Sequence, residues 1–172
     1  MLIEHAKIVQ FISLANEVNG RKKLQKMVYI AKKMEFPFAE KYELHMYGPY
    51  SEELTLRVEE LCEMGFLAER CEDKGSYVQY SYNVTEEGER FVEMAGEPHD
   101  LLSVCIEKMN GKSSRFLELV STLLYFDYLP QEEQVEKVKI VKSKLNYTEE
   151  EIESAFEFIE ELQKGAGVPN NM

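Results

Sequence analysis

Apolar residues recur every three to four positions along most of this chain, the period of a helix with one buried face. Ile3, Ala6, Val9, Ile12 and Ala15 are spaced by three, and Ile8 and Phe11 widen the stripe, which predicts a helix over residues 2–18. Asn19-Gly20 should end it, because both residues tolerate the left-handed conformation of a helix C-terminus. Leu24, Met27, Val28, Ala31 and Met34 predict a second helix over 21–34, stopped near Pro37. Residues 42–47 alternate only weakly and fit a short strand or a helical turn. Gly48-Pro49 marks a turn, after which Ser51 is a good N-cap for a third helix reaching about Met64, with Gly65 at its C-terminal end.

The pattern then changes period. Phe66-Leu67 opens a strand, Glu72-Asp73-Lys74-Gly75 reads as a turn, and residues 77–84 are rich in aromatic and β-branched side chains, so a hairpin is predicted. Thr85 with Glu86 and Glu87 suits the start of a fourth helix, through capping and through acids at the positive end of the helix dipole. Helix, turn, helix, hairpin and helix is the order of a winged helix. After Ala95-Gly96-Glu97-Pro98, four more helical segments follow over about 100–109, 113–128, 130–144 and 148–163. The expected fold class is therefore mainly α. A winged-helix-like domain with a small β-hairpin wing is expected over 1–95, a C-terminal helical bundle packed against it over 99–164, and a disordered tail over 165–172.

Composition narrows the function. At 172 residues and 44% hydrophobic content the chain can bury a substantial core. Net charge is -12, but it is uneven: residues 1–50 carry net +3, 51–95 net -8 and 96–172 net -7. An acidic chain disfavours nonspecific contact with nucleic acid or an anionic membrane, and the third helix carries Glu52, Glu53, Glu59, Glu60 and Glu63 against one Arg57. A recognition helix of that kind repels phosphates. Cys62, Cys71 and Cys105 are an odd number without CxxC spacing, which fits a reducing cytoplasm better than a disulfide framework. No apolar run reaches the roughly 18 residues of a membrane span, and the first residues lack a signal-peptide pattern.

Two features qualify as partner-binding candidates. Residues 20–33 hold Arg21, Lys22, Lys23, Lys26, Lys32 and Lys33 with no acid between them. On a helix, Lys22, Lys26, Tyr29 and Lys33 fall on one side and would form a basic, aromatic-bearing strip. The plainer reading is a solvated face that balances the acidic remainder of the molecule. The second feature is the turn with Tyr47, Pro49, Tyr50 and Glu52, where exposed phenols would make good interface anchors and buried ones would only pack the turn. His5, His45 and His99 form no metal-binding spacing, no Ser-His-Asp constellation or reactive cysteine motif is visible, and neither glycine-rich nucleotide motif occurs. No cofactor or metal is expected, and Cys62 reads as core.

Leu24-Gln25-Lys26-Met27-Val28-Tyr29, then Tyr47-Gly48-Pro49-Tyr50-Ser51-Glu52-Glu53-Leu54 and Thr85-Glu86-Glu87-Gly88, resemble the YwgA family of uncharacterised bacterial and archaeal proteins over most of the chain. The shorter pattern of Leu24-Gln25-Lys26, Tyr29 and Tyr47-Gly48-Pro49 is similar to the antitoxin-like Panacea (SocA) domain over residues 20–65, and departs from it after Pro49. The first resemblance implies no activity. The second implies a small adaptor that grips a protein partner, with Lys26, Tyr29, Tyr47, Gly48 and Pro49 as fold-defining positions. The expectation is a non-catalytic cytoplasmic regulatory or adaptor protein acting through protein contacts, with pairing of two copies left open. The alternative is a winged-helix DNA-binding transcriptional regulator that meets phosphate with its second helix and wing.

Overall fold

The computed structural model of the chain describes residues 2–46 and 48–167. The described residues are mostly helical, with α1 (Ile3–Ala15), α2 (Arg21–Lys33), α3 (Glu52–Glu63), α4 (Glu86–Phe91), α5 (Asp100–Asn110), α6 (Ser114–Tyr125), α7 (Gln131–Val141) and α8 (Glu149–Gly165). Strand β1 (Val18–Asn19) lies between α1 and α2, β2 (Glu43–His45) and β3 (Gly48–Tyr50) precede α3, and β4 (Leu67–Asp73) and β5 (Val78–Val84) follow it. β1, β5 and β4 form an antiparallel sheet in that order, with Val18 opposite Tyr82 and Leu67 opposite Val84. β2 and β3 form a separate antiparallel pair.

Local chemistry sets several boundaries. Ser51, Thr85, Ser113 and Thr148 each accept a hydrogen bond from a backbone N–H in the first turn of the helix they precede, satisfying a donor that has no partner inside the helix. Gly65, with φ 81°, ends α3 in the left-handed conformation. Other expectations need correction. α1 stops at Ala15 rather than running to residue 18, and Val18–Asn19 is a strand paired to Tyr82 and Ser81. Gly48-Pro49 is not only a turn: both residues belong to β3, opposite His45 and Leu44. The fourth helix tightens into a 3-10 turn over Val92–Ala95. Gly165, expected in a disordered tail, is the last residue of α8; residues 168–172 lie outside the described set.

Two helices lie at the centre. Every residue of α2 from Leu24 to Ala31 and every residue of α6 from Leu117 to Leu124 is buried, so neither is a one-faced amphipathic helix. They pack on each other; α2 also meets α5 and β3, and α6 meets α7, α8 and β3. A single cluster of buried apolar residues runs from Ala6 in α1 to Leu162 in α8. α3 packs instead on α1 and β4, leaving Glu52, Leu56, Glu59, Glu60 and Glu63 exposed. No helix among the described residues is long and apolar enough to cross a membrane.

Candidate functional site

The basic run on α2 does not form one exposed strip. Lys26 is 3% exposed, and its ammonium points between helices, 4.0 Å from Glu118 Oε1 on α6. Lys142, just after α7, brings a second ammonium to within 3.9 Å of the same oxygen, and the Tyr147 hydroxyl donates to Glu118 Oε2 at 3.3 Å. Tyr29 is buried edge-on against Tyr42. Lys33 is half-buried and ion-paired with Asp127 at 2.7 Å. Of the four strip residues Lys22 is exposed, Lys33 is half-buried, and Lys26 and Tyr29 are buried. The reason is α6: the face of α2 that carries Lys26 and Tyr29 is a helix–helix interface, which encloses both side chains.

The cluster around Glu118 has electrical consequences. Two ammonium groups share one carboxylate in a site largely closed to water, and such a group loses hydration that one partner only partly restores. Desolvation, countered by Glu118 and reinforced by Lys22 and Lys142, lowers the Lys26 pKa to about 8. Burial lowers Lys142 as well. Lys142 also donates to the backbone carbonyls of His45 and Met46, which fastens the β2–β3 hairpin to the C-terminal helices. Gly48, with φ 91°, lies against Thr122, Glu118 and Ser121 of α6; any side chain there would be strained by the backbone angle alone.

On the other side of that hairpin is a cleft of about 520 Å³ between α2, α3, the hairpin and the sheet. Leu24, Leu54 and Val58 form its floor, and His45, Met46, Pro49 and Tyr50 supply the hairpin wall. Its polar floor groups are already paired. Gln25 donates to the Ser51 carbonyl and to Thr55 Oγ1, both at 2.9 Å, and accepts from the Ser51 N–H at 2.8 Å, while the Tyr50 hydroxyl and Thr55 Oγ1 are 2.8 Å apart. At the sheet end Arg21 lies over the Tyr80 ring and donates to the Tyr82 hydroxyl, which donates to Glu69 at 2.6 Å. Burial opposes the Arg21 charge, but Tyr82 and Glu69 outweigh it and the net shift is upward. Burial and Glu69 raise the Tyr82 phenol. Half-buried Cys62 is pushed up to about 11 by burial and Glu69, so its thiol stays protonated near neutral pH and is a poor nucleophile.

Of the residues expected to bind a partner, Lys22, Pro49 and Tyr50 therefore come together at the cleft, while Glu52 is exposed one turn before Thr55 on α3. Tyr47 lies outside the described residues. Sequence reasoning missed Met46, Val58 and Tyr82 as site residues, which come together from the β2–β3 turn, α3 and β5. It also missed Glu118, although one signal was present: it is the only charged residue between Phe116 and Tyr125. Among the described residues no three His, Cys, Asp or Glu side chains are grouped so as to hold a metal ion.

Sequence comparison aligns 164 residues of the chain at 57% identity with the Uncharacterized protein YwgA of Bacillus subtilis (strain 168), covering 95% of this chain and 99% of that protein. The chain belongs to the YwgA family. No protein-family model matches it, so the partial likeness to the Panacea domain rests on the quoted residues alone. Within the YwgA-like segments the structure gives several residues a fold-holding part. Gln25 ties α2 to the start of α3, Thr85 caps α4, and Gly88 lies so close to the Phe66 carbonyl that an added Cβ would come within 2.1 Å of it.

Proposed function

We propose that this member of the YwgA family is a non-catalytic regulatory or adaptor module that grips a partner protein in the cleft between α2, α3 and the β2–β3 hairpin. The observation that carries this reading is the cleft's lining. Buried Leu24, Pro49, Leu54 and Val58 line it and exposed Met46 stands at its edge, while the polar groups Gln25, Tyr50 and Thr55 are already satisfied by one another and by the Ser51 backbone. Such a surface favours an apolar side chain over a polar substrate, since nothing in the floor is left wanting a hydrogen bond. The order α1, β1, α2, α3, β4, β5, with β5 paired to both β1 and β4, supports a winged-helix-like N-terminal region. Three free thiols fit a reducing, cytoplasmic setting. Lys26, the most perturbed lysine, is sealed between helices and does not line the cleft, which favours a structural part for it over a chemical one.

A DNA-binding reading has less support. The outer face of α3 carries Glu52, Glu59, Glu60 and Glu63, and the hairpin cations Arg70 and Lys74 are paired with Glu17 and Glu72. Affinity capture from native lysate, with and without nuclease, separates the two readings when the wild-type chain is compared with Met46→Arg, a change at a residue 79% exposed. A nuclease-resistant protein that is lost with Met46→Arg supports docking at the cleft. Nucleic acid recovered only without nuclease, and indifferent to Met46→Arg, overturns it in favour of a DNA-binding regulator.

A further inference from the structure

The chemistry of the occupant can be read from the walls of the cleft, given the docking reading above. Its floor accepts a bulky apolar side chain, and its rims are not electrically equivalent. At the sheet end the Arg21 charge is already compensated by Glu69, 3.2 Å away, and by the Tyr82 hydroxyl. The α3 rim is different. Glu52, Glu59 and Glu63 stand at i, i+7 and i+11, a spacing that places them in one row on a helix, and Glu59 itself lines the cleft. None of the three pairs with a cation among the described residues, whereas Glu53 is engaged by Arg57 and the Lys41 N–H, and Glu60 faces His5 at 3.6 Å. From Glu52 to Glu63 the row is about 16 Å long at 1.5 Å per residue.

We infer that the cleft takes a basic segment of a partner protein, in which a bulky apolar side chain fills the space over Leu24, Leu54 and Val58 and flanking Lys or Arg residues run along the Glu52, Glu59, Glu63 row. Unpaired surface carboxylates contribute little by themselves. Beside a desolvated anchor, however, they select charge and speed encounter, because a complementary segment is drawn in and an acidic one is repelled. The chain's net charge of -12 adds a long-range pull of the same sign.

The test is unbiased selection of phage-displayed random dodecapeptides on the full chain, followed by anisotropy titration of fluorescein-labelled copies of the enriched sequences. Folding of each variant is checked by circular dichroism; all the altered positions are exposed. The expected result is enrichment of Lys or Arg around a Leu, Met, Phe or Trp. Affinity should fall at least tenfold in a Glu59→Lys, Glu63→Lys double variant and in Met46→Arg, and several-fold when salt is raised from about 50 to about 300 mM. Enriched peptides that are lost with Met46→Arg but are acidic or uncharged, and are indifferent to the double variant, would overturn the basic-segment assignment while leaving docking at the cleft in place. Failure to enrich any peptide sensitive to Met46→Arg would remove both.

Discussion

Lys26 shows what a buried charge does when its compensation is shared. Glu118 lies between two ammonium groups, so removing one lysine leaves a balanced pair, whereas removing the carboxylate leaves two buried cations. Lys26→Met is accordingly expected to stabilise the fold by about 1–3 kcal/mol, and Glu118→Gln to destabilise it by about 3–5 kcal/mol, measured by urea unfolding at neutral pH. The pH dependence has a definite sign. Below pH 8 the folded and unfolded chains both hold the Lys26 proton; between about 8 and its usual 10.5 the unfolded chain holds a proton that the folded one has released, so stability rises with pH. Wild-type urea midpoints should increase from about pH 7.5 to about pH 8.5, and Lys26→Met should lose much of that increase. From about pH 9 the upward-shifted Cys62 and Cys105 thiols, and at higher pH the upward-shifted Tyr82 and Tyr147, work in the opposite sense, because the unfolded chain releases their protons first. Gly88 illustrates a purely steric constraint. Its missing Cβ lets α4 sit against the Phe66 carbonyl and Val84, so Gly88→Ala should lower the thermal midpoint, by about 1–3 kcal/mol or more in stability, although alanine is the better helix former.

At the scale of elements, capping chemistry is the part of this fold that the chain spells out. Thr148 accepts from the Glu151 N–H, and Glu151 accepts from the Thr148 N–H, closing a capping box at the start of α8. Hydrogen bonds from Arg115, then from the Thr148 backbone, hold the Glu151 carboxyl at about 2. Its contribution is present at neutral pH and is lost as pH falls from the ordinary carboxylate range towards 2. Thr148→Ala, which keeps the backbone N–H, is expected to cost about 1 kcal/mol, whereas Arg115→Gln is expected to blunt that acid sensitivity, read from far-ultraviolet circular dichroism during acid titration. The same local logic made Ser51, Thr85 and Gly65 legible in the sequence, and with them the limits of α3 and the start of α4. It could not supply β1, whose partner residues Ser81 and Tyr82 lie about sixty positions further on, nor β3, where Gly48-Pro49 carries a turn signal yet pairs with β2. Helical spacing correctly put Lys22, Lys26, Tyr29 and Lys33 on one side of α2. Periodicity says which residues share a face; whether that face meets water depends on α6, some ninety residues away.

The whole molecule explains why a boundary near Gly96-Glu97-Pro98, although suggested by breaker residues, should not divide two independent folding units. α2 is buried on all sides, and two of its neighbours, α5 and α6, come from beyond that boundary. α1 likewise packs against α5 as well as α4. Polar ties cross as well: Gln10 donates to the Gly96 carbonyl, Lys23 to the Asn110 carbonyl, and Asn110 to the carbonyls of Ala15 and Glu17. A fragment ending at residue 98 would strip α5 and α6 from α2, uncover apolar side chains of that buried helix and leave Lys26 without Glu118. Burying each large aliphatic side chain is worth about 1.5–3 kcal/mol, so the loss of several exceeds the few kcal/mol of net stability that a small domain holds. The fragment 1–98 is therefore expected to aggregate or to lack slow amide exchange in α2, and co-expression with 99–172 should restore protection there. A soluble 1–98 fragment with native-like protection of α2 would mean that α1 and the sheet suffice as its core.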